Sequence, residues 1–355
     1  MVWKLLKSLF STSFHKEDVP DVHADTQVQN NKINSKSLRP SVEYLLTKDL
    51  GHLCELLEID NKTQLAPILL HPEEYYRTFR IPKRNGKSRL ISAPFTPLYR
   101  IQKKIYEKIL IHARVHSAAK GFCISTSIVH NAREHLHAKD LLKVDIRNFF
   151  PSIHQSRVVA IFRNLGYEYT LAYQLAYLCC LNGKLPQGSP ASPALSNLAL
   201  LRLDSKLSEI AGNRQFIYTR YADDLSFSGN ILSKNELLAE ISKTVQEEKL
   251  ILNKKKTRFI TGAKRKIITG ISISSGKLTI PKSKKREIRK VIYYIKTRGI
   301  SKHLLHINSK DAEDWYLEKI LGYLSFWRAV EPENAYVLQS VKYIQSLRKQ
   351  LLYKK

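Results

Sequence analysis

The chain has 355 residues, 43% of them hydrophobic, which is enough for a large core divided over two or three domains. Lysine and arginine number 59 against 31 acidic residues, and the formal charge of +28 favours a polyanionic partner, nucleic acid ahead of a membrane surface. Cys54, Cys123, Cys179 and Cys180 show no C-x-x-C spacing, which speaks against a zinc site and for reduced, mostly buried thiols in a cytosolic protein.

The opening MVWKLLKSLFSTSF is basic and apolar, but its apolar run is too short and interrupted for a secretory or spanning segment. It reads as a short amphipathic helix. Residues 16–40 are polar and form a linker. Helical periodicity follows from Val42 to Leu70, and YYRTFRIPKRNGKSRLISAP (75–94) reads as two strands around Arg84-Asn85-Gly86. Residues 97–116 return to a helix, and LLKVDI (141–146) is a short strand ending in an acid. SPASPALSNLALLRLDSKLSEIA is one helix, opened by Pro and Ser and closed near Gly212. Residues 216–228 form a hairpin around Ala222-Asp223, and 234–249 a helix. Strands are expected at 257–261, 266–273 and 277–280, then helices from Pro281 onwards. No later stretch is long and apolar enough to span a bilayer.

Asp145 ends one expected strand, and Asp223 and Asp224 sit in the hairpin. Strand ends bring such groups together on one edge of a sheet. Three clustered carboxylates repel one another, so a positive charge must hold them. Mg²⁺ fits best, because it takes few protein carboxylates and leaves positions for phosphate oxygens. Two such ions stabilise the attacking and leaving oxygens of an in-line phosphoryl displacement. Taken alone, Asp223-Asp224 would be a solvated turn tip.

The surrounding motifs decide otherwise. KVDIRNFFPSI, LPQGSPASPALSNL, YADD and LNKKKT, in this order over about 83–270, resemble the motif set of reverse transcriptases. The likeness sharpens to the retron reverse transcriptases of bacteria, which carry an N-A-x-x-H element, here NAREH (131–135), and a V-T-G element, here ITG (268–270). The resemblance implies an α+β, right-hand polymerase: fingers, a palm of antiparallel sheet plus helices, and a helical thumb. The implied division is an N-terminal helix and linker (1–40), fingers (41–137), the first catalytic palm strand (138–155), an insertion (156–190), palm (191–280) and thumb (281–355). The implied reaction adds dNTPs on an RNA template. The template is a structured noncoding RNA, primed from an internal 2′-hydroxyl. The product is a branched RNA–DNA hybrid, made in antiphage defence beside a separate effector protein, with no membrane partner. The rivals are an abortive-infection or intron-type reverse transcriptase and an RNA-scaffolding, toxin-neutralising subunit. The lack of an appended maturase or endonuclease segment disfavours the intron type. A chain closing with the thumb leaves template removal to a separate nuclease.

Residue roles follow from the same resemblance. Asp145 and Asp223 look like the shared ligands of both ions, Asp224 like a secondary ligand, and the carbonyl of Ile146 is expected to reach a metal. Phe150, five residues after Asp145, looks like the aromatic that excludes a ribose 2′-hydroxyl, and as a rigid gate it must itself be packed. Lys83 and Arg89 look like the residues that bind the incoming triphosphate, the arginine through its bidentate fork. Lys256 looks like the general acid for the pyrophosphate leaving group, with the choice among Lys254, Lys255 and Lys256 open. Gln187 and Gly188 precede a helix start, where glycine allows close backbone approach and the helix end favours phosphate. A plain helix cap is the rival for that pair. Asn131 and His135, four apart, either contact RNA or support the fold. KSKKREIRKVIYYIKTR (282–298) carries eight basic residues on a core-spaced helix, and Lys284, Lys285 and Arg289 are expected along a nucleic-acid backbone.

Overall fold

A computed structural model describes residues 50–60, 62–82, 86 and 88–353. The expected N-terminal helix and polar linker, and also Lys83, lie outside the described residues. The helices in chain order are α1 (Leu50–Leu57), α2 (Lys62–Leu70), α3 (Thr96–Lys108), α4 (Ile128–Glu134), α5 (Gln155–Asn164), α6 (Tyr169–Cys179) and α7 (Ser192–Ala199). They continue with α8 (Leu201–Gly212), α9 (Lys234–Glu247), α10 (Lys282–Arg298), α11 (Ile300–His306), α12 (Glu313–Val330) and α13 (Ala335–Tyr353). The strands are β1 (Tyr76–Pro82), β2 (Ser88–Pro94), β3 (Asp140–Asp145), β4 (Ile217–Tyr221), β5 (Asp224–Gly229), β6 (Arg258–Ile260), β7 (Ile267–Ile268) and β8 (Ile271–Ser272). No helix among the described residues is long and apolar enough to cross a membrane.

The chain divides into two compact units, Met1–Arg114 with Phe150–Ala199 and Val115–Phe149 with Leu200–Lys355. In the first, β1 and β2 form the expected antiparallel hairpin, from Tyr76 opposite Pro94 to Pro82 opposite Ser88. Its helices bury Leu53, Leu57, Leu98, Ile105, Phe162 and Leu175. Among the polar side chains buried in this unit is Gln102, whose amide donates to the Tyr76 hydroxyl (2.6 Å) and the Leu178 carbonyl (2.7 Å), so both its donor hydrogens are used. Helix α3 is shorter than the periodicity predicts. Ile109 (φ −118°) leaves helical geometry, and a 3₁₀ turn at Leu110–His112 follows.

The second unit is built on a four-stranded antiparallel sheet in the order β4-β5-β3-β6. Its apolar face carries Leu142, Val144, Tyr218, Leu225 and Phe227. A hydrophobic cluster runs from Leu141 and Ala132 through Ile268 and Ile271 to Ile288, Ile292, Leu317, Leu324, Trp327 and Ile344 of the C-terminal helices. Two expectations need correction. The long helix expected to begin at the Pro/Ser-rich stretch is two helices, because Leu200 (φ −101°, ψ 7°) steps out of helical geometry. The strand expected over 266–273 is the small hairpin β7–β8. Its turn is Thr269-Gly270 itself, both at positive φ (46° and 87°), as a two-residue turn between twisted strands requires.

Candidate active site

Asp145 is the last residue of β3 and Asp224 the first of β5, and they stand directly opposite each other in the antiparallel ladder. Opposite side chains on one face lie within contact range. Asp223 occupies the β4–β5 turn, which Ala222 makes possible by adopting φ 57°. The chain after β3 secures the turn: the Ile146 N–H donates to the Asp223 carbonyl at 2.9 Å. The expected constellation of three acids therefore assembles from two strand ends and one turn.

A second segment closes over Asp145. The Asn253 N–H donates to the Asp145 carbonyl (2.7 Å), and its side-chain amide donates to Asp145 Oδ1 (3.1 Å). Asn253 leads into a 3₁₀ turn, Lys254–Lys256, that aims Lys256 Nζ at Asp145 Oδ2 (2.5 Å), with Asp223 Oδ2 at 4.0 Å. All three lysines of the triplet are exposed, and Lys256 is the one bonded to the acids.

The electrostatics follow. Burial, then the charges of Asp224 and Asp145, push Asp223 up to about 7. Burial and Asp145 also raise Asp224, against the lowering effect of Lys143 and Lys256. Partial burial pulls the Lys256 ammonium down, but its bond to Asp145 and the three carboxylate charges leave it above the ordinary lysine range. Among the described residues, no three Asp, Glu, His or Cys side chains converge as a ready-made metal cluster, since Asp145 is turned to Asn253 and Lys256. The donor set still fits a hard divalent cation: carboxylate oxygens only, on adjoining positions, with a repulsion that such an ion relieves.

Two buried networks support this edge. In the first, the Thr219 hydroxyl donates to Asn131 Oδ1 (2.7 Å), so its oxygen is left to accept from His135 Nε2 (2.7 Å). His135 Nδ1 then accepts from the Ser228 hydroxyl at 2.6 Å. The chain is complete with a neutral imidazole, and burial holds His135 down at about 4. Asn131 and His135 are 1% and 0% exposed, so neither presents a surface to RNA. The expectation of RNA contact is corrected to fold support: NAREH clamps α4 onto β4 and β5. Thr269 of the ITG turn adds a bond to the Ile128 carbonyl of the same helix (3.2 Å).

In the second network, Arg220 and Asp204 are fully buried and paired through three contacts, Nε–Oδ1 at 2.8 Å, Nε–Oδ2 at 3.1 Å and Nη2–Oδ2 at 2.6 Å. The Tyr218 hydroxyl donates to the same carboxylate (2.8 Å), and Arg220 Nη1 reaches toward the Ala222 carbonyl (3.4 Å). The loop beside β4 fits against the turn through Gly121. A Cβ there would lie 3.0 Å from the Ala222 nitrogen and 3.3 Å from the Tyr221 ring.

The remaining expected residues are placed as follows. Arg89 is half-buried on β2, and Phe150 is half-buried at the head of a 3₁₀ turn. The Gln187 carbonyl accepts from the Ser92 N–H (2.9 Å), and Gly188 (φ 135°) lies so close to β2 that a Cβ would stand 2.6 Å from the Ser92 oxygen. Glycine is required there by contact and by backbone alike. On α10, Lys284 bonds Glu287 (2.9 Å) and lies 4.2 Å from the Tyr323 ring centre. Lys285 bonds Glu331 (2.6 Å), which also accepts from the Ile280 N–H and the Asn334 side chain. Lys284 and Lys285, expected free along a nucleic-acid backbone, are half-buried and internally paired. The outward basic residues of α10 are Lys282, Arg286, Arg289, Lys290, Lys296 and Arg298, with Arg289 5.1 Å from the Tyr336 ring centre. Sequence reasoning missed Asn253, Thr219, Ser228, Arg220 and Asp204. Arg220 stands three positions before Asp223, but nothing local marks Asp204 as its partner.

An acid pair at a β-turn facing a third strand-end acid, beside a lysine, defines a polymerase-type nucleotidyltransferase site. Residues 81–298 match the family Reverse transcriptase (RNA-dependent DNA polymerase), so the chain belongs to it, has the right-hand polymerase fold, and is an RNA-directed DNA polymerase. Within that family it is a retron reverse transcriptase. It is 31% identical over 325 residues to the Retron Ec86 reverse transcriptase of Escherichia coli, covering 87% of this chain and 96% of that one. It is 30% identical over 281 residues to the Retron Mx65 reverse transcriptase of Myxococcus xanthus, covering 74% and 62%. Among solved structures, a Candida albicans telomerase in complex with a telomeric RNA fragment aligns at TM-score 0.43 and 11% identity, covering 77% of this chain and 63% of that one. The foamy viral protease-reverse transcriptase with double-stranded DNA aligns at 0.40 and 16%, covering 82% and 48%. The family uses divalent metal ions and an RNA template.

Proposed function

We propose that this enzyme reverse transcribes a cognate structured noncoding RNA, starting from a 2′-hydroxyl inside that RNA, to give a branched RNA–DNA hybrid in antiphage defence with a separate effector protein. The observation that carries the polymerase part is the Asp145–Asp224 pair with Asp223 and Lys256 at one sheet edge. The likeness to retron enzymes along most of the chain carries the rest.

In this reading Asp145, Asp223, Asp224 and the Ile146 carbonyl hold two Mg²⁺. When bound, the ions stabilise the attacking and leaving oxygens of an in-line displacement. Lys256 holds the carboxylates in register and donates the proton that the pyrophosphate leaving group takes up. Lys83 and Arg89 bind the triphosphate, and Phe150 excludes nucleotides that carry a 2′-hydroxyl. Gln187 and Gly188 present backbone to the nucleotide or template. Arg286 and Arg289, on the outward side of α10, track phosphates. The residues of 41–137 serve as fingers, those of 156–190 as a fingers/palm insertion and those from 281 as thumb.

The test is to express the enzyme with its flanking RNA, extract the nucleic acid and digest it with RNase. A small DNA that keeps a short RNA residue, released only by a 2′–5′ debranching enzyme, supports branched priming. DNA with a free 5′ end straight from the enzyme contradicts it. Phage protection by enzyme and RNA without neighbouring genes contradicts the effector.

A further inference from the structure

Residues opposite one another in an antiparallel ladder share a face, and the next row on that face lies two residues on, about 6.6 Å along the strands. In the second unit the acid row is Tyr221–Asp224–Asp145. The row behind it on the same face is Thr219–Ser226–Lys143–Arg258, read across β4, β5, β3 and β6. Its two halves differ. Thr219 and Ser226 are buried, with Asn131 and His135 bonded to Thr219. Lys143 is half-buried and Arg258 exposed, and among the described residues neither side chain makes a hydrogen bond or an ion pair. Like charges placed directly opposite on adjacent strands destabilise a sheet unless an anion lies between or over them. Lys143 is offset in part by Asp224, whose carboxyl its charge lowers, but Arg258 lies one strand further from Asp224 and directly opposite Lys143, so the two cations still repel in the free protein and a bound polyanion would relieve that repulsion.

We propose that Lys143 and Arg258 bind the phosphates of the growing strand immediately behind its reacting end. The inference rests on the polymerase reading of the acid row. If the acids hold the reacting hydroxyl through their metals, the strand carrying that hydroxyl must bring its next phosphates past the acids at close range. Those phosphates are repelled by the acid row and attracted one row back, where the open half of the sheet face carries its two cations. The guanidinium on β6 can grip a phosphate bidentately, and the Lys143 ammonium supplies a point charge on a long stem.

The experiment is a binding titration with a DNA primer annealed to an RNA template, without nucleotide or divalent metal, for wild type and the variants K143Q, R258Q and K143R. The exposed helix variant K234Q is the control. K143Q and R258Q are each expected to weaken hybrid binding about tenfold and to reduce the slope of log affinity against log salt by about 0.7–0.9. K143R should retain binding, and in extension the KM for dNTP should move less than twofold. A primer with neutral methylphosphonate linkages at its last two positions should bind wild type about tenfold more weakly and K143Q no more weakly than an unmodified primer. That second measurement needs no variant to fold. Unchanged binding in both arms overturns the proposal. So does a shift confined to dNTP KM or to the Mg²⁺ needed for half activity, which would make Lys143 an internal counter-charge of Asp224. Absence of extension by wild type, with these binding differences present, would instead count against the polymerase reading.

Discussion

Replacing Asp204 with Asn keeps the shape of the buried network behind the catalytic turn but leaves the Arg220 guanidinium charged, dry and unneutralised. Both side chains are 0% exposed and share three contacts, so no solvent replaces the lost charge. Breaking such a pair from one side costs about 3–5 kcal/mol, a large fraction of a typical stability of about 5–15 kcal/mol. With a urea m-value of about 3 kcal/mol/M, the midpoint should fall by about 1–1.7 M. Urea unfolding followed by circular dichroism and tryptophan fluorescence measures this directly. The double variant D204L/R220M removes both charges and should recover most of the loss, because an apolar pair of similar volume needs no desolvated ions. A D204N midpoint within about 0.3 M of wild type would refute the reasoning, as would a double variant less stable than D204N.

Three further outcomes follow from the same geometry. F150V should raise ribonucleotide incorporation in a dNTP-against-rNTP competition, and unchanged selectivity with activity retained would make Phe150 a packing residue only. His135 is held at about 4 in the fold against an ordinary 6.5, so it is neutral in both states above that value, and below it the unfolded chain binds a proton that the fold refuses. Its contribution is therefore present at pH 7 and is lost as pH falls, by about 2 kcal/mol at pH 5. H135Q should flatten the urea midpoint between pH 7 and 5, and an unaltered pH slope would contradict the buried neutral imidazole. R286A and R289A should weaken RNA binding and lower its salt slope by about 0.7–0.9 each. K285A should act on thermal stability through its lost Glu331 partner, and a loss of salt slope for K285A instead would return it to the nucleic-acid face.

The catalytic edge was legible in the sequence because its parts are local. Asp145 closes a short apolar strand, Asp223-Asp224 sits in a hairpin whose turn needs only one left-handed residue, and alternation along KVD already puts Lys143 on the face of Asp145. What escaped depends on side chains meeting across long sequence distances. His135 meets Thr219 and Ser228 through the third dimension, and Asp204 meets Arg220 from a helix whose pattern resembles any amphipathic segment. The charges of α10 illustrate the same limit. Periodicity located the helix and its buried Ile288, Ile292 and Ile295, but Glu331, which removes Lys285 from the outward set, stands 46 residues away.

The most direct measurement is incorporation of labelled dNTP by the purified enzyme with its co-purifying RNA, comparing wild type with D223N. That substitution removes one carboxylate from the group of three acids and leaves the turn, the sheet and the basic helix intact. DNA synthesis should be lost while RNA binding stays within about twofold of wild type, because only the charge that holds the metals has changed. Near-normal synthesis by D223N would contradict the assignment of these three acids as the polymerase site.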